Sequence, residues 1–304
     1  MYLTSLLRQS AALLTAGLLL SATVQAAPRS LEGAYGNVEV NGTPQRIVAL
    51  GDNALDAALS LDAKPLATLA SRGGNDVPEY LKAKAGKIAL VGSVREPNLE
   101  AILALQPDLI LASSELSSDL YAKLSLMAPT IVPKGGTFQD WRDTYATYAL
   151  ALDKADQAKQ RIAEIDQRVD ALRQRLPQGQ KVSVVRWNPQ GPFIMSSHLF
   201  VGQLLQSLGL EANELAAEQK RKPHSDILSL ENLSKVDADW IFLATLNPDG
   251  RKALNEARKQ PAFTRLNAVK NDRVISVDGQ IWSSSSGYLA AEQILDDVEK
   301  ALVH

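Results

Sequence analysis

Chemistry in a protein needs a nucleophile, a proton carrier, a metal cluster or a cofactor cradle. This chain of 304 residues offers little of any of them. It has no cysteine and only three histidines, His198, His224 and His304, in no ligand spacing. A zinc or transition-metal site built from imidazole and thiolate is therefore not expected. No GxSxG turn presents a serine as nucleophile. No Walker loop or GxGxxG opens a helix after a strand to cradle phosphate. The carboxylates follow helix faces, where solvation accounts for them. In GGTFQDWRD, Thr137 reads as a helix N-cap and the acids beyond it as partners of the helix dipole. No catalytic residue and no cofactor is expected.

What remains are side chains suited to gripping a ligand. Trp187 and Trp282 are two of only four tryptophans, and each directly follows a predicted strand. Trp187 could pack on its own core or face a ligand. Trp282, followed by the polar run SSSSG, is expected to be exposed to a cleft. Arg72 and Arg95 stand in loops, where each is either a solvated surface charge or a charge-assisted partner for an oxygen-rich ligand.

The elements that would position these residues alternate. RIVAL (46–50), PLATLA (65–70), KIALVG (87–92), DLILAS (108–113) and TIVP (130–133) read as short buried strands separated by helical segments. Pro97 opens a helix and Pro107 ends it. GNVEV, before the strong turn signal Asn41-Gly42, reads as a hairpin arm. From about 155 to 176, Ala158, Ile162, Ile165, Val169, Leu172 and Leu176 form one apolar stripe at steps of three and four. The alternation then restarts with KVSVVRW, SHLFVGQLLQSLG, ENLSKVDA, DWIFLATL and RVISVD, and ends in the amphipathic GYLAAEQILDDVEKAL.

The fold class expected is α/β: two doubly wound, mainly parallel-sheet lobes joined by one long α-helix. The parts are residues 27–152, the helix 153–177, and residues 178–304. In open α/β sheets ligands bind beyond the carboxyl ends of the strands. That rule selects Asn53, Arg72, Arg95 and Ser114 on the first lobe, and Trp187, Trp282 and Ser283 on the second. Two such rims facing each other make a cleft.

Residues 1–26 stand apart. One basic residue, Arg8, precedes an apolar run from Ala11 to Leu20, and small residues close the segment. This is the pattern of a signal peptide cut after Ala26. The apolar run is shorter than the ~20 residues that span a bilayer. With no cysteine, a lipid anchor on that residue is not expected, and the mature protein is expected to be periplasmic. The net charge of −2 points away from nucleic acid.

VGSVREPNLEAILALQPDLILASS (91–114) resembles the "VG…PNLE-x-I-x-ALxPDLI" block of periplasmic substrate-binding proteins that serve ABC importers of ferric siderophores, ferric citrate and cobalamin. TPQRIVAL, FVGQLLQSLGL, SLENLSKVDADWIFL, VDGQIW and GYLAAEQIL are similar to further blocks of that group, in the same order. The resemblance implies a monomeric carrier that holds an intact ferric siderophore, with iron ligated by the siderophore. It also implies that Glu100 in PNLEAI and Glu231 in SLENLS engage arginines of the membrane permease. Siderophore binders of the group often carry an arginine two residues after the glycine of the VG pair; here that position is Val94, and Arg95 follows. Relatives that bind ferric citrate tend to place arginines after the last tryptophan; here Ser283–Ser286 stand there. A hydroxamate or mixed-ligand siderophore is the cargo this favours, with ferric citrate, cobalamin or haem as alternatives. Haem carriers use a tyrosine ligand; the sequence places none in the cleft, with Tyr80 and Tyr121 left open. A reading from another class is an exported siderophore-modifying enzyme. The stripe of the long helix also implies a cleft that closes by only a few degrees.

Overall fold

A computed structural model of the chain describes residues 28–136 and 138–303. The expected signal peptide and the expected cap at Thr137 fall outside these residues.

The chain enters through an antiparallel hairpin, β1 (Arg29–Gly33) and β2 (Gly36–Val40), turning at Ala34-Tyr35. The turn expected at Asn41-Gly42 is instead a bend leading away from the hairpin. Leu31 and Val40 both bury, so the segment before the valines supplies the partner strand.

The first lobe follows as β3 (Ile47–Leu50), α1 (Asp52–Ser60), β4 (Ala67–Ala70), α2 (Glu79–Ala85), β5 (Ala89–Ser93), α3 (Leu99–Ala104), β6 (Leu109–Ala112), α4 (Ser118–Leu124) and β7 (Thr130–Ile131). Its five strands are all parallel, in the order β5-β4-β3-β6-β7. Strands β3, β4 and β6 are buried at every residue, as a sheet covered on both faces requires.

Two helices lead away from that sheet, α5 (Trp141–Ala151) and α6 (Ala155–Arg173). The N-cap of α5 is Asp140, whose side chain accepts from the Arg142 N–H. Helix α6 has 19 residues, about 28 Å at 1.5 Å per residue. Ala158, Ile165, Val169 and Leu172 bury along it and Ile162 half-buries. Beside that stripe Arg168 pairs with Asp296 and Glu299, and Arg175, just past the helix end, pairs with Glu299.

The second lobe comprises β8 (Lys181–Asn188), β9 (Gly191–Ile194), α7 (Phe200–Ser207), β10 (Glu211–Ala212), α8 (Glu214–Glu218), a 3-10 helix (Leu230–Val236), β11 (Trp240–Thr245), α9 (Pro248–Ala257), α10 (Pro261–Thr264), α11 (Asn267–Lys270), β12 (Val274–Asp278), α12 (Gly279–Ser283) and α13 (Tyr288–Leu302). Strands β10-β8-β11-β12 are parallel, and β9 returns antiparallel on β8.

The largest hydrophobic core runs without a break from β3 and α1, through α5, α6 and α13, to β8 and β11. A smaller core lies on the far face of each sheet. The two lobes therefore share one packed interior. Helix α13 sits at its centre, touching α1 and α2 of the first lobe as well as α6, α7 and α12.

Candidate functional site

The carboxyl ends of the two sheets face each other across a cavity of about 270 Å³. The first lobe contributes the segments after β3, β4, β5 and β6, as open α/β sheets dictate. Gly51, at φ +134°, turns the chain from β3 into α1 and brings Asp52 and Asn53 to the rim. Arg72 follows β4, Val94 follows β5, and Ser113, Ser114 and Glu115 follow β6. The second lobe contributes Arg186 from β8, Met195 after β9, His224, and the run from Ile281 to Ser286.

Among the residues selected from sequence, Asn53, Arg72, Ser114, Trp282 and Ser283 line this cavity. Arg95 does not: its backbone is one position past the rim and its side chain is exposed, while Val94 lines the wall. Trp187 is buried at 3% exposure, edge-on to Phe263, in the core on the far side of the second sheet. The strand runs on to Asn188, so Trp187 is a strand residue and its direction follows the pleat.

Trp282 corrects the expectation of an exposed ring. It is fully buried, stacked on Phe242 at 4.3 Å, and its indole N–H donates to Asp297 Oδ2 at 2.8 Å. It lies on α12, a helical turn where the sequence predicts a rim loop, and that turn carries the ring back over β11. Trp282→Ala is expected to lower the unfolding free energy by about 3–5 kcal/mol, measured by urea denaturation. A loss below about 1 kcal/mol would contradict this packing.

The residue that sequence reasoning missed is Arg186. Along β8, Val182 and Val184 face the shared core while Val185 and Trp187 face the outer one. Period-two alternation puts Arg186 on the side of Val182 and Val184, where the core gives way to the cleft. That alternation is legible in KVSVVRW, where Arg186 falls two residues after Val184. Arg186 lies over the Phe193 ring at 5.2 Å, and Phe193 stacks on His224 at 4.3 Å. Its Nε is buried without a hydrogen-bond partner among the described residues. Burial, and then the like charge of Arg72, pull its guanidinium below the ordinary arginine value, yet an arginine remains charged.

Arg72 stands opposite, on the first lobe. Its side chain is largely exposed and pairs with Glu115 at 3.7 Å, a contact of little energetic weight at such exposure. The Gln280 amide donates to the Arg72 carbonyl at 2.6 Å and so closes one end of the cleft across the lobes. Burial pushes the Asp52 carboxyl up to about 7, and Arg72 pulls it back in part. Two guanidinium groups and several hydroxyls, set against the carboxylate of Glu115 and the titrating acid of Asp52, line a surface that can take an oxygen-rich anion.

Among the described residues, no tyrosine lines the wall. Tyr80 instead donates to Asp56, and Tyr121 stacks on Tyr35 at 4.5 Å. Among the described residues no group of three or more His, Cys, Asp or Glu gathers as a metal site. No helix of theirs is long and apolar enough to cross a membrane. Glu100 and Glu231 are exposed, each in the first turn of its helix, one on α3 of the first lobe and one on the 3-10 helix of the second.

The chain is similar to known proteins over most of its length. A family model described as "Periplasmic binding protein" matches residues 47–281. The probable siderophore-binding lipoprotein YfiY of Bacillus subtilis is 32% identical over 277 residues, covering 88% of this chain and 84% of that protein. The Fe(3+) dicitrate-binding periplasmic protein FecB of Escherichia coli is 27% identical, covering 96% of this chain and 95% of its own. Staphylococcus aureus SirA, in a crystal structure with staphyloferrin B, superposes with a TM-score of 0.78 at 29% identity, covering 90% of this chain and 98% of its own. These relatives are binding proteins.

Proposed function

This chain belongs to the periplasmic binding protein family, and on that premise we propose that it captures an intact ferric siderophore in the interlobe cleft and delivers it to an ABC permease. The observation that supports this most is the convergence of Arg72 and Arg186, from opposite lobes, on one cavity rimmed by Asn53, Ser114 and Ser283. Binding proteins for ferric dicitrate and for siderophores are among its relatives. The protein acts as a carrier in this reading, which the anion-gripping groups of the cleft support. The reading includes export through the leader ending at Ala26 and action as a monomer in the periplasm.

The cargo class changes from the hydroxamate or mixed-ligand siderophore expected from sequence. That expectation rested on serines replacing arginine after Trp282. The positive charge enters instead from β8, through Arg186, and an anionic chelate bearing free carboxylates suits the two arginines better. A cavity of about 270 Å³ is at or below the small end of the ~300–1,000 Å³ typical of ligand pockets, which suits a compact chelate better than cobalamin or haem.

Glu100 and Glu231 dock the permease, one per lobe. The shared core beneath the cleft and the packing of α13 on α1, α6 and α7 support a narrow closing motion.

Titration calorimetry with ferric dicitrate, a neutral ferric hydroxamate, cobalamin and haem tests the cargo class. Ferric dicitrate is expected to bind at least about tenfold tighter than the hydroxamate, a difference of about 1.4 kcal/mol. Preference for the neutral chelate, or for cobalamin or haem, would refute an anionic cargo.

A further inference from the structure

Beneath the cleft lies a carboxylate with no cation among the groups that set its charge. Asp56 is one turn below Asp52 on α1 and is fully buried. Its oxygens accept the backbone N–H of Leu289 at 3.0 Å and of Ala290 at 2.9 Å, in the first turn of α13. Helix α13 has no side-chain cap of its own, because Gly287 stands at its N-cap. Gly287 has φ +146°, and a Cβ there would meet the Asp56 carboxylate at 2.5 Å. The glycine thus leaves room for an acid from the first lobe, and that acid supplies the cap the helix lacks. The Tyr80 hydroxyl donates to Asp56 Oδ2 at 3.3 Å and lies beside Ser285.

Both ends of this link reach the cleft. Asp52 and Asn53 at the start of α1 line one wall, and Ser283–Ser286, just before α13, line the other. We propose that Asp56 is a positioning residue for the cargo: it ties the two lobes beneath the cleft and so sets the serine run across from Asp52 and Asn53. The binding half of this inference rests on the functional reading above; the tie itself does not.

The tie is linked to a proton. Burial pushes the Asp56 carboxyl up to about 7, against the pull of the Leu289 and Ala290 N–H groups and the Tyr80 hydroxyl. The titratable groups around it are Asp52 on its own helix, Tyr80 from α2, Tyr145 from α5 and Tyr288 from α13. Arg161 and Glu164 of α6 act on Tyr145 and Tyr288. A carboxyl that holds its proton more tightly when buried than in water favours the tied state at low pH. That contribution is complete below the ordinary value of 3.8 and is lost as pH rises through about 7.

The test measures amide hydrogen exchange at Leu289 and Ala290, corrected for intrinsic rates, and affinity for ferric dicitrate, in wild type, Asp56→Ala and Asp56→Asn. Protection of the two amides in wild type is expected to fall roughly tenfold or more between pH about 5 and about 8. The profile is expected to flatten in Asp56→Asn and to persist in Asp52→Asn, the control for the other carboxyl that titrates near 7. Asp56→Ala is expected to expose both amides and to weaken ferric dicitrate roughly tenfold or more, about 1.4 kcal/mol, with Arg72 and Arg186 unchanged. Unchanged protection in Asp56→Ala overturns the tie. Lost protection with affinity kept within about twofold, under ~0.5 kcal/mol, overturns the positioning role. If Asp56→Ala does not fold, a wild-type pH profile retained in Asp56→Asn overturns the tie instead. A wild type that binds no ferric siderophore at all overturns the functional reading, and the exchange arm then decides the tie alone.

Discussion

Arg186→Met is expected to weaken ferric-siderophore binding roughly 30- to 4,000-fold, the span of the ~2–5 kcal/mol that follows loss of one partner of a desolvated charge pair. Arg186 differs from the other loop and rim cations in being partly desolvated before any cargo arrives. Its Nε is buried without a partner, and the charge acting on it is the like charge of Arg72. A half-buried charge with an unpartnered Nε is a cost to the cargo-free fold that an anion relieves. The same substitution is therefore expected to raise the unfolding midpoint of the cargo-free protein while it destroys binding. Methionine takes the guanidinium off the Phe193 ring and leaves Phe193 on His224. Calorimetry against ferric dicitrate and urea unfolding read the two effects separately. Affinity kept within about threefold, under ~0.7 kcal/mol, or a clear loss of stability would mean that Arg186 is a structural residue.

The second large effect concerns delivery. Glu100→Arg combined with Glu231→Arg is expected to reduce cargo uptake by cells to the level of a strain lacking the protein, while affinity for cargo stays within about twofold, under ~0.5 kcal/mol. Both carboxylates are exposed and lie away from the cavity, so the cleft is untouched. Like charges brought together at an interface cost several kcal/mol each. Leu103 on α3, 55% exposed, and Leu230 beside Glu231, 39% exposed, give each acid an apolar neighbour for a partner surface to cover. If the acids served only the helix dipoles, each reversal would cost about 0.3–1 kcal/mol of stability and uptake would persist. Uptake near the wild-type level in the double variant would remove the docking role.

The strands legible in the sequence are those whose chemistry is local. RIVAL and DLILAS are unbroken apolar runs because both faces of the first sheet are covered, and β3 and β6 bury every residue. The stripe of α6 was legible for the same reason, since periodicity alone reports which face packs. What escaped depends on a single residue of register or on distant partners. Trp187 and Trp282 each looked like a residue just past a strand. One proved to be inside its strand, facing the outer core, and the other lies on a short helix that folds the ring over Phe242. GPFI was not read as a strand, because four residues with a glycine and a proline give a weak pattern until β8 pairs with them. Asp56 sits in an ordinary amphipathic segment, and nothing local marks it as the cap of a helix far along the chain.

Within the cleft, the rims selected by the strand-end rule include Asn53, Arg72, Ser114 and Ser283, which do line the cavity. The rule selects loops and not directions, so it also admitted Arg95 and passed over Arg186. The difference matters for cargo. With serines after Trp282 and no Arg186, the cleft reads as weakly charged; with Arg186 facing Arg72 it reads as a clamp for an anion.

The most direct measurement is the anomalous scattering of iron in crystals grown with ferric dicitrate. One iron peak inside the cleft is expected, with the chelate's carboxylates directed at Arg72 and Arg186 and no protein atom ligating the metal. Iron bound to protein side chains, iron elsewhere on the surface, or an empty cleft under saturating chelate would contradict a carrier that grips its cargo whole between two arginines.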